Sequence, residues 1–120
     1  MATEYQTANR QALIKEQATG AVAISLSLAA KRVSRVMTVT LKLSAAPTTS
    51  ENFTITLNAL AGVAYDTLLY SVDLSASSTT ALIWYPDGEL WLEPGDSIDV
   101  AYTNTDTRTY GVQITFVEEL

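Results

Sequence analysis

The sequence predicts an all-β fold, an antiparallel β-sandwich or barrel. Apolar residues alternate with Ser and Thr along most of the chain. Residues with turn chemistry punctuate those rows about every ten residues, the spacing of short paired strands. Helix-forming composition is confined to one N-terminal stretch. The chain has 120 residues, 48% hydrophobic and 17% charged, too apolar for a disordered segment and of a length that suits one domain.

Residues Thr3 to Gln17 have the composition of a helix. Thr3 and Gln6 have capping-box spacing, and Tyr5, Ala8, Ala12 and Leu13 fall on one helical face. An extended arm lying on a neighbour fits equally, because so few apolar residues give the segment little to bury at home. The expected organisation is therefore an arm over 1–19 and a sandwich over 20–120.

From Gly20 onward the period is two. Val22, Ile24, Leu26 and Leu28 form the first row. Val33, Met37, Val39, Leu41 and Leu43 form the second, Phe53, Ile55 and Leu57 the third, and Leu68, Tyr70, Val72 and Leu74 the fourth. Residues 81–85 and 89–92 follow, then Ile98, Val100 and Tyr102, and last Tyr110, Val112, Ile114 and Phe116. Such alternation gives each strand one buried and one wetter face. About eight strands are expected. Pro86-Asp87-Gly88 reads as a tight hairpin turn joining 81–85 to 89–92. Pro94-Gly95 suits the central pair of a type II turn, Asn104 to Thr107 reads as the turn of a last hairpin, and Ala45 to Asn52 is a longer loop.

The net charge of −6 repels phosphate backbones, so nucleic acid is not an expected partner. Its distribution is uneven. Six of the seven basic residues precede Glu51, against two acids, whereas from Glu51 onward eleven acids face the single base Arg108. Either two surfaces of one fold neutralise each other, or a basic N-terminal part docks on an acidic partner such as a neighbouring copy. No stretch reaches the roughly 18 apolar residues of a membrane helix, and no membrane partner is expected. Residues 20–30 imitate a signal-peptide core, but Glu16 precedes them and Ser25 and Ser27 interrupt them, so a strand explains them better and cytosolic synthesis is expected.

Cysteine and histidine are both absent. That excludes disulfides, thiol nucleophiles, Cys/His zinc sites, haem ligation by His and any Ser-His-Asp triad. Asp87 with Glu89, or Asp96 with Asp99, have the acid–base types of glycoside hydrolysis, yet each pair lies beside a turn, where carboxylates are expected anyway. Asp96, Asp99, Asn104 and Asp106 are oxygen ligands suited to calcium, but their spacing matches no calcium loop, and a solvated acidic edge is the plainer reading. No catalytic, cofactor or metal site is therefore assigned.

The aromatic cluster is the strongest surface feature. Trp84, Tyr85 and Trp91 flank the Pro86–Gly88 turn, and Ala81-Leu82-Ile83-Trp84-Tyr85 is apolar on both faces. A strand of that kind is buried on both sides by its own fold, or covered by a second subunit or a ligand.

Leu92-Glu93-Pro94-Gly95-Asp96-Ser97-Ile98 leads into a penultimate strand, and Tyr110-Gly111-Val112-Gln113-Ile114-Thr115-Phe116-Val117 ends the chain's last row. With an N-terminal arm before about eight strands, this pattern over residues 20–117 resembles the small jelly-roll cement (decoration) proteins of tailed bacteriophage capsids. The resemblance implies a two-sheet jelly roll, assembled as dimers or trimers on the outside of a virion head. There it would bridge major capsid protein subunits, after synthesis in the bacterial host cytoplasm. It implies no cofactor and no enzymatic activity. The residues expected at such interfaces are Tyr5, Arg10, Leu13, Ile14 and Lys15 of the arm, Lys31 and Arg32, and the aromatics Trp84, Tyr85 and Trp91. The alternative is a glycan- or receptor-binding module of a phage fibre or adhesin, with those aromatics stacking on sugar rings and Asp87, Asp96, Asp99 and Asn104 as hydrogen-bonding partners.

Overall fold

The computed structural model describes residues 11–119, and among them there is no α-helix. Nine strands follow one another: β1 (Gln11–Gly20), β2 (Ile24–Ala29), β3 (Ser34–Leu43), β4 (Asn52–Asn58), β5 (Thr67–Asp73), β6 (Ala81–Trp84), β7 (Leu90–Leu92), β8 (Ser97–Tyr102) and β9 (Tyr110–Glu119). The first sheet has the order β1-β9-β3-β6, with β7 also on β3; the second has the order β2-β8-β4-β5. Every pairing is antiparallel.

The order has a simple origin. The chain makes one long ribbon, with β1 on β9, β2 on β8, β3 on β6 and β7, and β4 on β5. Rolling that ribbon brings β9 against β3 and β8 against β4. Two layers closed in this way are the jelly-roll sandwich. Between them lie Val39, Phe53, Ile55, Leu74, Ile98 and Ile114, all fully buried. Each such side chain contributes roughly 1.5–3 kcal/mol by leaving water.

Residues 11–17 are neither helix nor arm, and the sandwich begins at β1 instead of residue 20. Every residue from Gln11 to Gly20 lies opposite a residue of β9. Backbone pairing with that strand supplies what the segment's few apolar side chains do not, and tertiary context overrides helix propensity. The rest of the expected arm lies outside the described residues.

The expected hairpin at Pro86–Gly88 is also absent. β6 pairs with Val39–Lys42 and β7 with Ser34–Val36, so the two lie end to end along one edge of β3. Residues 85–89 leave the sheet opposite a register shift in β3 between Val36 and Thr38. That extra residue changes which face the row uses: Ser34 and Val36 are buried before it, Val39, Leu41 and Leu43 after it, and Val33 is left exposed. A second shift, where β4 meets β5, leaves Leu68 exposed while Leu69 and Tyr70 both pack on the core.

The Pro94-Gly95 turn forms as expected. Asp96 N–H donates to the Glu93 carbonyl at 3.0 Å, and Gly95 has φ 101°, open to glycine at little cost. The last turn differs. Residues 103–109 carry the chain from β8 in one sheet to β9 in the other, so Asn104 to Thr107 crosses between layers and closes no hairpin. Asn104 holds that crossing. It is 2% exposed with φ 56°, its Nδ2 donates to the Val22 and Arg108 carbonyls, and its Oδ1 accepts from Arg108 N–H.

Asn104→Ala loses those three hydrogen bonds and places an alanine in the left-handed region. Urea denaturation is expected to show a loss of roughly 2–4 kcal/mol. Asn104→Gly, which tolerates the same φ, is expected to recover about 1 kcal/mol of that loss.

Candidate functional site

Strand alternation divides the sequence-predicted residues between the core and one outer surface. On the sheet built from β1, β9, β3, β6 and β7, outward positions form rows across the strands. Leu13, Val117, Arg35 and Trp91 make one row in register, and Gln17, Gln113, Thr40 and Ile83 another. Between them run Lys15, Thr115 and Thr38, with Tyr85 just past the end of β6. Thr19, Gly111, Lys42 and Ala81 close the face. Because Gly111 has no side chain, a shallow depression of about 470 Å³ opens there, bordered by Gln17, Thr19, Thr40 and Gln113.

Leu13, Lys15, Tyr85 and Trp91 thus share one surface, although 72 residues separate Leu13 from Tyr85 in the chain. Leu13, Tyr85 and Ile83 are each about two-thirds exposed, and Trp91 is 42% exposed. The Arg35 guanidinium stands 5.8 Å from the centre of the Trp91 ring, a cation–π contact. Trp91 Nε1 also donates to Glu89 at 2.8 Å. Lys31 and Arg32 lie in the turn from β2 to β3 at one end of this sheet, where Arg32 approaches Glu118 at 3.9 Å.

Other expected residues belong elsewhere. Ile14 points inward and packs on the core, as does Trp84, whose ring lies 6.4 Å from that of Tyr70. Tyr5 and Arg10 lie outside the described residues. The strand over 81–84 is therefore apolar for two reasons: Leu82 and Trp84 serve the core, while Ile83 is left in water. Sequence reasoning did not include Arg35, Lys42, Ile83 and Val117. Period two within their rows carried the signal, but the facing partners on β1 and β9 were needed to join them.

The two outer faces differ in charge. The β1–β9–β3 face carries Lys15, Arg35 and Lys42, against Glu89 beside Trp91 and Glu119 at the end of the sheet. The opposite face is mostly small and polar: Ser25, Ser27, Thr54, Thr56 and Asn58 surround Asp99, with Asp73 at its edge and exposed Leu68 beside Thr56. The uneven charge along the chain has become a difference between faces.

The carboxylates considered for catalysis or calcium are largely occupied in holding loops. Asp96 accepts from the N–H groups of Leu60 and Glu93, and Asp99 accepts from Ser27 Oγ and Asn58 Nδ2. Asp106 accepts from both backbone N–H groups of Thr48 and Thr49 at 2.8 Å, and from both hydroxyls. These bonds favour its charged form and lower its pKa from 3.8 to about 2. Asn104 is buried and spent on the backbone. Among the described residues no group of three or more Asp and Glu is arranged to hold a metal. Burial, and then the nearby Glu51 and Asp106, raise the pKa of Tyr102, so its phenol stays neutral. The sugar partners imagined with the aromatics are dispersed as well: Trp84 faces inward, Asp99 lies on the opposite sheet and Asp96 in a turn.

Because the Asp106 pKa is depressed by folding, the stabilisation it brings is complete above the ordinary value of 3.8 and is lost as pH falls through about 2. Asp106→Asn is expected to lower the thermal midpoint at neutral pH. The gap between parent and variant narrows as pH falls from 3.8 toward 2. A gap that stays constant with pH contradicts the role given to this carboxylate.

In comparison with known proteins, no family model matches this chain and no curated protein shows significant similarity to it.

Proposed function

We propose that this chain is a structural binding protein, and that the β1–β9–β3 face docks it onto the outside of a phage head as a capsid decoration protein. The observation that carries the reading is that face itself. Three cations, Lys15, Arg35 and Lys42, outnumber the acids Glu89 and Glu119 on this face and stand beside exposed Leu13, Ile83, Tyr85 and Trp91. Aromatic and aliphatic anchors next to Arg are the composition of interface centres, and flanking cations steer a protein toward an acidic partner. The capsid identity rests on the jelly-roll resemblance over residues 20–117. Binding to the assembled lattice alone stabilises it by mass action, and no reactive group is required. Self-association as a dimer or trimer belongs to the same reading, as does a virion location after synthesis in the host cytosol.

The first test is what the protein sediments with in lysates of its native source. Icosahedral heads are expected, and recovery from the soluble fraction only removes the capsid reading. The second test locates the face. Lys15→Glu with Arg35→Glu is expected to weaken retention on heads by about tenfold or more, and to reduce its dependence on salt. Ser71→Lys, on the opposite sheet, is expected to leave retention unchanged.

A further inference from the structure

We propose that copies of this chain join side by side through opposite edges of one sheet, with β1 of one copy meeting the β6–β7 edge of the next. Three independent features of the sandwich point to that junction.

The first is an open backbone edge. Among the described residues β1 pairs with β9 alone, along all ten of its residues. Glu119 N–H donates to Val33 on the β3 side, so odd-numbered residues of β9 turn their backbone toward β3 and even-numbered ones toward β1. The even residues of β1 face those partners. Leu13, Lys15, Gln17 and Thr19 are left with their N–H and C=O groups directed at the open edge. A long edge without proline or bulge is a template for another strand.

Strand direction is the second feature. Successive antiparallel pairings from β1 through β9 and β3 make β6 and β7 run opposite to β1. A copy placed alongside in the same orientation therefore continues the antiparallel alternation across the junction.

The third is complementarity in register. Leu13 and Trp91 end the same cross-strand row at opposite edges of the sheet. Lys15 ends the row at which residues 85–89 leave β3. Alignment of the rows brings Leu13 of one copy to Trp91 of the next, and Lys15 to exposed Tyr85, Asp87 and Glu89. Asp87 and Glu89 also rim a depression of about 240 Å³ floored by Leu69, Trp84 and Leu90, which suits an aliphatic stem ending in an ammonium group. Short β6 and β7 blunt their own edge, so side chains rather than a full backbone ladder make the centre of the contact.

Such a junction is heterologous: the surface each copy offers on one side differs from the one on the other, so copies add head to tail and form a ring where the rotation between them closes. It brings the cationic faces of successive copies together on one side of the assembly. The proposal deepens the self-association in the reading above but does not depend on the capsid. A protein that assembles and binds no head leaves it standing, whereas one that binds heads as a monomer removes it.

The test uses two variants of the full chain, each compared with the parent by circular dichroism and thermal melting to verify folding. Gln17→Pro removes an edge-directed N–H and no bond of the β1–β9 ladder. Asp87→Lys with Glu89→Lys reverses the charge at the other edge. Light scattering over a range of concentration and salt gives the mass. The parent is expected to be an oligomer that dissociates as salt rises, and each folded variant a monomer. Mixing the two variants is expected to yield a two-chain species and nothing larger, because one intact junction remains between them. A monomeric parent at millimolar concentration overturns the proposal, as does a folded Gln17→Pro variant of unchanged mass. A mixture that stays monomeric overturns it as well, since a symmetric β1–β1 contact or another surface then makes the oligomer.

Discussion

β9 is the strand on which the rest of the sandwich depends. It pairs with β1 on one side and β3 on the other, while Val112, Ile114 and Phe116 enter the core between the sheets. Without it β1 has no partner, and β3 keeps only the short β6 and β7. β9 thus decides the structure of β1, and the outer face divides its side chains among segments far apart in sequence. A face made in this way exists only when the whole ribbon has rolled up.

Charge follows from that geometry. Lys15, Arg35 and Lys42 fall at outward positions of β1 and β3, Lys31 and Arg32 lie in the turn between β2 and β3, and the β9 residues between β1 and β3 are neutral along the middle of the sheet. Most acids of the second half go to turns, to the β8 side, and to the loops that tie the ends of the sandwich together, while Glu118 and Glu119 end β9 and Glu89 stands beside Trp91. Many of them accept backbone N–H groups there. Asp106 clips residues 48 and 49 to the crossing between sheets, and Asp96 holds Leu60 and Glu93. Structural use of these carboxylates leaves the cationic face with little to neutralise it from within the fold.

The two register shifts matter beyond local geometry. The shift in β3 opposite residues 85–89 accompanies the split of the sheet edge into β6 and β7, and it sets Arg35 on the outer surface beside Trp91, on the same face as Thr38, Thr40 and Lys42. Tyr85 and Trp91 lie an even number of residues apart and keep the same outward face on either side of the break, while Trp84 turns inward. Similar reasoning accounts for exposed Val33 and Leu68, each on the far side of a shift from the row to which simple alternation assigns it.

Within one strand, a side chain's face depends on its neighbours two residues away, so the sequence alone determined the all-β class, the strand positions from Ile24 onward, the Pro94-Gly95 turn and most of the core. The same locality made Gly20 the apparent start of the sandwich, because Gln11–Gln17 has helix-forming residues and gains its strand only by pairing with residues about a hundred positions later. Register shifts were not legible, since an extra residue in one strand is defined only against its partner. Nor was the fate of two turns: Pro86–Gly88 and Asn104–Thr107 have good turn chemistry, but chemistry of that kind bends the chain without stating which sheet it enters next. The cationic face lies beyond the sequence for the same reason. Leu13, Arg35, Ile83 and Val117 became one surface through pairings between strands, and those are decided by how a ribbon rolls to bury its apolar side.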